Sequence, residues 1–401
     1  MKNSKTNLFF YLAVLLVMLF TSCSKEGDDT PAPVNKFLTK SENIANLSAS
    51  EIKTRVAAAA IVVQNGVKVF RLLYNTTTPD GKAIVASGVV IYPDKITDSL
   101  TVLSFQHGTI TTQDEAPSAY KPAGNSEAYV AGTLGASLAK GYLVVMPDYL
   151  GFGESKTIAH PYQHKASLAS ASLDMLRAAT EFASNNGLKI RRGIRLAGYS
   201  EGGYATMALH QAIEKTASSE FKISASYPAA GPYDMVNTAK WVVSQDKDMP
   251  QAAIIYYTWV MLTYNQMYGI NAPLTNLLTP ANAAKVTAAI AAGNPLTAQI
   301  SLNPAQLFTQ DFIAGIKNGT NTAFINAFRE NDVYDWKPLA PITLFHAPGD
   351  DFVPVLNSQN ALAALLKNGA NVTFIPLGDA TTTHSGGSAA YLTYMVALLS
   401  N

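Results

Sequence analysis

Apolar positions recur along this chain in two rhythms. Residues 67–78 and 84–92 are rich in β-branched and aromatic side chains and flank the turn sequence Pro79-Asp80-Gly81, which predicts an antiparallel hairpin. Short continuous apolar runs follow at 100–105, 142–146, 194–197, 223–227, 342–345 and 372–375. They alternate with stretches at helical spacing: 131–139, 163–184, 204–215, 358–366 and 387–399. A strand that is apolar on both sides is buried on both sides. The alternation therefore predicts an α/β fold, with a mostly parallel central sheet and helices on both faces. Ligands in such folds bind at the carboxyl ends of the strands. One interruption, at about 235–336, is rich in Ala, Asn, Thr and aromatics and has no clear strand. It reads as a helical insertion, or cap, over those strand ends. No repeat at solenoid periods is present.

The first residues have a different pattern. Lys2 and Lys5 precede an apolar stretch over 8–20, long enough for the core of a signal peptide and too short to span a bilayer comfortably. Leu19-Phe20-Thr21-Ser22-Cys23 follows and resembles the lipobox of bacterial lipoproteins. That resemblance implies a signal peptide over 1–22 and a lipid on Cys23, anchoring an exported protein to the outer membrane on its periplasmic or cell-surface face. A plain secretory signal with an incidental cysteine is the alternative. Residues 23–36 read as a polar tether with Glu26, Asp28, Asp29 and two prolines, leaving 37–401 for one catalytic domain. The acidic group after Cys23 resembles surface-export signals of Bacteroidetes-type lipoproteins.

Composition narrows the partners. With 48% hydrophobic and 14% charged residues the chain can bury a large core. A formal charge of +1, from 29 basic and 28 acidic residues, includes no basic block that would serve as a nucleic-acid footprint. One cysteine cannot form an internal disulfide. No H-x-x-x-H or H-E-x-x-H spacing, cysteine pair or dinucleotide fingerprint occurs, so no metal and no cofactor is expected.

The chemistry concentrates where the apolar run 194–197 leads into Gly198-Tyr199-Ser200-Glu201-Gly202-Gly203 and then a helix-prone segment. A sharp strand-to-helix turn needs small residues around a serine whose hydroxyl is to project from it. Serine becomes a nucleophile when a base takes its proton, and the base needs a carboxylate to hold its tautomer. Of six histidines, His107 begins another motif, His160 and His164 open a helix, His210 lies inside the helix after the serine, and His346 ends a strand. His384 lies late, in a loop between the last strand and the last helix. Past the run 342–345 come Asp350 and Asp351, either of which follows a strand's carboxyl end.

Gln106-His107-Gly108-Thr109, Asp148-Tyr149-Leu150-Gly151-Phe152-Gly153, Gly198–Gly203 and the stretch from His346 to Pro354 together resemble an α/β-hydrolase of the secretory-lipase and esterase type. The match runs from about Val67 to the end. It implies the chain order serine, acid, histidine, which His384 alone satisfies, and a register that places the acid on Asp350. Ala347 stands where the family usually has glycine. The resemblance also implies an oxyanion hole of two backbone N–H groups, from Glu201 and, after the run 100–105, from Thr109.

Within the insertion, residues 252–262 are apolar almost all round. A buried cap helix accounts for this, and an acyl or aromatic pocket formed by Tyr199, Tyr256 and Trp259 is compatible with it. The expected substrate is an ester, small, lipid-linked or polysaccharide-linked, cleaved through an acyl-enzyme on Ser200. A serine peptidase of the same fold and a non-catalytic surface-binding lipoprotein are the competing readings.

Overall fold

A computed structural model describes residues 35–121 and 127–400. The expected signal peptide, Cys23 and most of the tether lie outside the described residues. Among those described, nine strands form one sheet: β1 (Leu38–Leu47), β2 (Val67–Thr77), β3 (Ala83–Pro93), β4 (Leu100–Gln106), β5 (Tyr142–Pro147), β6 (Ile190–Tyr199), β7 (Lys222–Ala229), β8 (Ile342–His346) and β9 (Val372–Pro376), in the order β1-β2-β3-β5-β4-β6-β7-β8-β9. The expected hairpin is β2–β3, paired without a break from Val67↔Pro93 to Thr77↔Ala83. Pairing is antiparallel from β1 to β5 and parallel from β5 through β9. The fold is that of the α/β-hydrolases.

Alternate residues of each central strand feed opposite cores, which is why these strands read as unbroken apolar runs. On β5, Val144 and Met146 pack with Tyr391, Met395 and Leu399 of the helix His384–Ser400. Leu143 and Val145 pack with Leu176 and Phe182 of the helix Lys165–Asn185 and with Leu209 of the helix Glu201–Thr216.

One strand was not foreseen, and two local expectations need correction. The edge strand β1 has no apolar run to announce it, because most of its residues are exposed. The helix expected over 131–139 is a π-helical segment, Ala128–Thr133, followed by one α turn, Leu134–Ser137. Gly132 and Gly135 weaken α propensity there. His384 does not sit in a loop; it opens the final helix.

The segment between β7 and β8 is helical, with Met235–Val242, Gln251–Met267, Pro280–Ala291, Gln310–Lys317 and Thr322–Glu330 as its longer helices. Its buried aromatic residues Tyr264, Phe308, Phe324 and Phe328 share one core with Tyr204, Met207 and Leu344 of the sheet layer. Two tyrosines fasten it: the Tyr264 hydroxyl donates to Gln163 O at 2.6 Å and the Tyr257 hydroxyl to Phe352 O at 2.6 Å. No helix among the described residues is long and apolar enough to cross a membrane.

Candidate active site

β6 ends at Tyr199, and Ser200 turns the chain into the following helix with φ 59° and ψ −123°, a conformation that side chains other than glycine's rarely adopt. Its neighbours explain how the turn closes: a Cβ on Gly202 would collide with the backbone of Gln106 at the end of β4. The turn is also pinned to the sheet, since Ser200 N donates to Ala229 O at 2.9 Å. Gly198 N donates to the buried Tyr391 hydroxyl at 2.9 Å, which itself donates to Tyr227 O at 2.6 Å.

The structure brings Ser200, His384 and Asp350 together. His384 Nε2 lies 2.9 Å from Ser200 Oγ, and His384 Nδ1 lies 2.7 Å from Asp350 Oδ2. An ionised carboxylate only accepts, so Nδ1 carries the imidazole proton and Nε2 is left to accept from the serine hydroxyl. Asp350 Oδ1 accepts from the amides of Phe352 at 2.9 Å and Val353 at 2.8 Å. His346 Nε2 sits 3.3 Å from Asp350 Oδ2. Burial pushes the Asp350 carboxyl up, yet the hydrogen bonds from His346 and His384 outweigh it and hold the group well below the ordinary carboxylate range. Asp351 has a different place: its Oδ1 accepts from His384 N at 3.0 Å, at the start of the final helix. The Phe352 ring stacks on the His384 imidazole at 5.0 Å between centroids and an angle of 3°.

Around the expected oxyanion hole the side chains make a second network. The Glu201 carboxylate is buried against His160, Oε1 to Nε2 at 3.0 Å, and His160 Nδ1 lies 2.6 Å from Leu150 O. Because a carbonyl oxygen only accepts, Nδ1 donates to Leu150 O, and Nε2 is the ring atom that faces the carboxylate. Thr109 Oγ1 is 2.8 Å from the Tyr162 hydroxyl. Gly108 N donates to Glu127 Oε2 at 2.8 Å.

Burial pushes the Glu127 carboxyl up to about 7, with the Gly108 amide pulling the other way. An acid raised in the folded state holds its proton where the unfolded chain, with an ordinary value of about 4.3, has lost it. Stability is therefore lost as pH climbs between those two values, and the loss is complete above the folded one. Glu127→Gln should match wild type at pH 4 and exceed it progressively up to about pH 7, with a constant margin beyond. Thermal melts across that range check this, and a pH-independent margin would reject it.

Two pocket residues expected from sequence lie elsewhere. A cavity of about 410 Å³, counted with its open mouth, contains Ser200 and is walled by Tyr162, Tyr256, Tyr257, Val260 and Phe352 among others. Tyr199 is not part of that wall. Its ring packs against His384 and its hydroxyl donates to His384 O at 2.6 Å, under the helix start. Trp259 faces sideways from the cap helix, stacked on Tyr162 at 4.2 Å and edge-on to His160 at 5.5 Å. Helical spacing marked Trp259 as part of an apolar cap helix but not which face of that helix met the cavity. His346, Tyr391, Glu127 and the His160–Glu201 pairing escaped sequence reading altogether. Tyr391, Glu127 and the His160–Glu201 pair act through contacts between distant segments, which no local spacing signals, and the i,i+4 spacing of His346 and Asp350 does not by itself show that they touch.

Among the described residues no cluster of three or more His, Cys, Asp or Glu side chains is arranged to hold a metal ion. A half-buried serine hydroxyl, an imidazole and a carboxylate in line can relay a proton away from a hydroxyl attacking a carbonyl.

Known proteins place this geometry in a family. A Legionella pneumophila protein described as a hydrolase superposes with a TM-score of 0.80 at 25% identity, covering 91% of this chain and 97% of its own. The rice cell wall degrading esterase LipA of Xanthomonas oryzae superposes with a TM-score of 0.76 at 25% identity, over 92% and 97%. Candida antarctica lipase A shares the fold at 17% identity, with a TM-score of 0.62 over 88% and 78%. Comparison with curated protein sequences gave no match. The secretory lipase profile matches residues 129–397, a span that contains the serine turn, the acid and the histidine, and the chain belongs to the secretory lipase family.

Proposed function

We propose that this ester hydrolase cleaves carboxylic esters through an acyl-enzyme on Ser200, with His384 as the base and Asp350 steadying the imidazolium. The observation that carries the reading is the unbroken relay Ser200 Oγ, His384 Nε2, His384 Nδ1, Asp350 Oδ2, at 2.9 and 2.7 Å. His384 takes the serine proton as Oγ adds to the carbonyl and returns it to the leaving alcohol; water then repeats the cycle on the acyl-enzyme. Backbone N–H groups of Glu201 and Thr109 stabilise the oxyanion, in keeping with the turn each occupies. The walls of the cavity beside Ser200 carry no charged side chain, which favours a neutral ester over a peptide with a charged chain end.

Export fits membership of the secretory lipase family. We further propose that Cys23 carries a lipid, so that the enzyme works from the outer membrane on esters outside the cytoplasm, small, lipid-linked or polysaccharide-linked. The similarity to an esterase that degrades rice cell walls supports the last of these.

A p-nitrophenyl ester series from acetate to palmitate, offered to protein beginning at Ser24, tests the reaction. Turnover is expected to peak at short to medium chains, since bulky side chains, Tyr162, Tyr256, Tyr257 and Phe352, wall the space beside Ser200. Absence of turnover on every ester by folded protein would overturn the esterase reading.

A further inference from the structure

Residues 107–111, which follow β4, belong to no helix or strand, yet they carry one of the two amides proposed to meet the oxyanion. Gly108 lies beside the nucleophile: a Cβ on it would stand 3.4 Å from Tyr199 O and 3.9 Å from Ser200 Cβ. A glycine at such an approach leaves the backbone free to turn over unless other bonds hold it. Thr109 N, the next donor along the chain, meets no acceptor among the described residues. Its direction is therefore set by what holds its neighbours.

The peptide group between His107 and Gly108 is held from both sides. The Tyr149 hydroxyl donates to His107 O at 3.1 Å, and Gly108 N donates to Glu127 Oε2 at 2.8 Å. Gly108 O in turn lies 2.7 Å from His107 Nδ1. Glu127 stands directly before the π-helical segment Ala128–Thr133, a form that is rare and frequently found at functional sites. That segment is seated closely on the sheet, since a Cβ on Gly132 would collide with Ile91. For stability alone a carboxyl is a poor choice here. Burial raises it to about 7, whereas a neutral amide or hydroxyl oxygen would accept from Gly108 N without that penalty.

We infer that Glu127 is a positioning residue of the reaction: by holding the Gly108 amide it turns the Thr109 N–H toward the oxyanion that forms on the ester carbonyl. This role rests on the proposed Ser200 esterase chemistry and adds to it a carboxyl outside the relay.

Turnover of p-nitrophenyl butyrate by Glu127→Met and Glu127→Gln tests it. Glu127→Met removes the acceptor, and kcat should fall by about ten- to a hundredfold, the scale of a misplaced oxyanion donor. KM should stay within about twofold, because the contact is made in the transition state and not in the bound ester. Glu127→Gln keeps an oxygen for Gly108 N and should recover most of the loss. Affinity for a trifluoromethyl ketone, to whose carbonyl Ser200 Oγ adds as the serine proton passes to His384, should fall in Glu127→Met by the same factor as kcat/KM. Glu127→Asp, which withdraws the carboxyl by one methylene, is the second variant and should lose kcat in the same sense. Wild-type kcat in Glu127→Met, or in Glu127→Asp where the first does not fold, would overturn the role while leaving Ser200-dependent turnover intact. So would an equal fall in Glu127→Gln and Glu127→Met, or a change confined to KM. If folded wild type shows no Ser200-dependent turnover, the esterase reading fails and this role fails with it.

Discussion

Ser200→Ala is expected to lower kcat on p-nitrophenyl butyrate by about 10⁴ to 10⁶ and to abolish labelling by a fluorophosphonate probe, while the melting temperature stays within a few degrees of wild type. Removing the hydroxyl removes the attacking atom, and losses of that order follow when a serine nucleophile is deleted from a working triad. The fold should tolerate the change. Alanine keeps the strained φ of 59°, and the bonds that hold the turn are made by the backbone, Ser200 N to Ala229 O and Tyr204 N to Ser200 O. The probe separates catalysis from binding: a surface-binding protein with this fold would not react in either form. Residual turnover within tenfold of wild type would place the nucleophile elsewhere.

The second large effect concerns the acid. Asp350→Asn should cost about 10⁴ in kcat with little change in KM, because an amide N–H facing His384 Nδ1 would force the imidazole proton onto Nε2, where it cannot accept from Ser200. His346 makes the same substitution costly on its other side, since its Nε2 sits 3.3 Å from the oxygen that would be replaced and 2.9 Å from Val353 O. The substitution also removes one pH effect. Asp350 is held below the usual carboxylate range, so its contribution to stability is present above its unfolded value of about 3.9 and lost as pH falls through the folded value. Wild type should therefore lose stability relative to Asp350→Asn on acidification below about pH 4. A constant stability difference between pH 7 and pH 3 would reject the pairing.

The parallel core of the sheet was legible because strands β4 to β8 are buried on two sides and leave unbroken apolar runs; the hairpin was legible from Pro79-Asp80-Gly81. β1 was not, because a half-exposed edge strand with Lys40, Ser41, Glu42 and Asn43 carries the composition of a loop, and only its pairing with β2 makes it a strand. At the site, the serine, acid and histidine could be placed from local motifs and chain order. Their supports could not. Glu201 was expected to act through its main chain, and nothing near it in sequence indicates that its carboxylate meets His160, forty-one residues earlier. Tyr199 and Trp259 were legible as buried aromatics, but the face each presents depends on the crossing of helix and sheet, which periodicity does not encode.

The cap enters the chain after β7 and leaves it before β8, so Ser200, Asp350 and His384 all belong to loops and helix starts of the sheet layer and none belongs to the insertion. Substrate preference and reaction chemistry are thus written in separate stretches of sequence. Selection, natural or in a mutant library confined to 235–336, can reshape the pocket wall through Ala253, Tyr256 or Val260 without moving a relay atom. The exceptions are the fastening tyrosines. Tyr257, bonded to the backbone of the residue that stacks on His384, and Tyr264, bonded to Gln163, tie the insertion to the sheet layer. In an evolving lineage these two positions are where a change of diet would begin to cost rate.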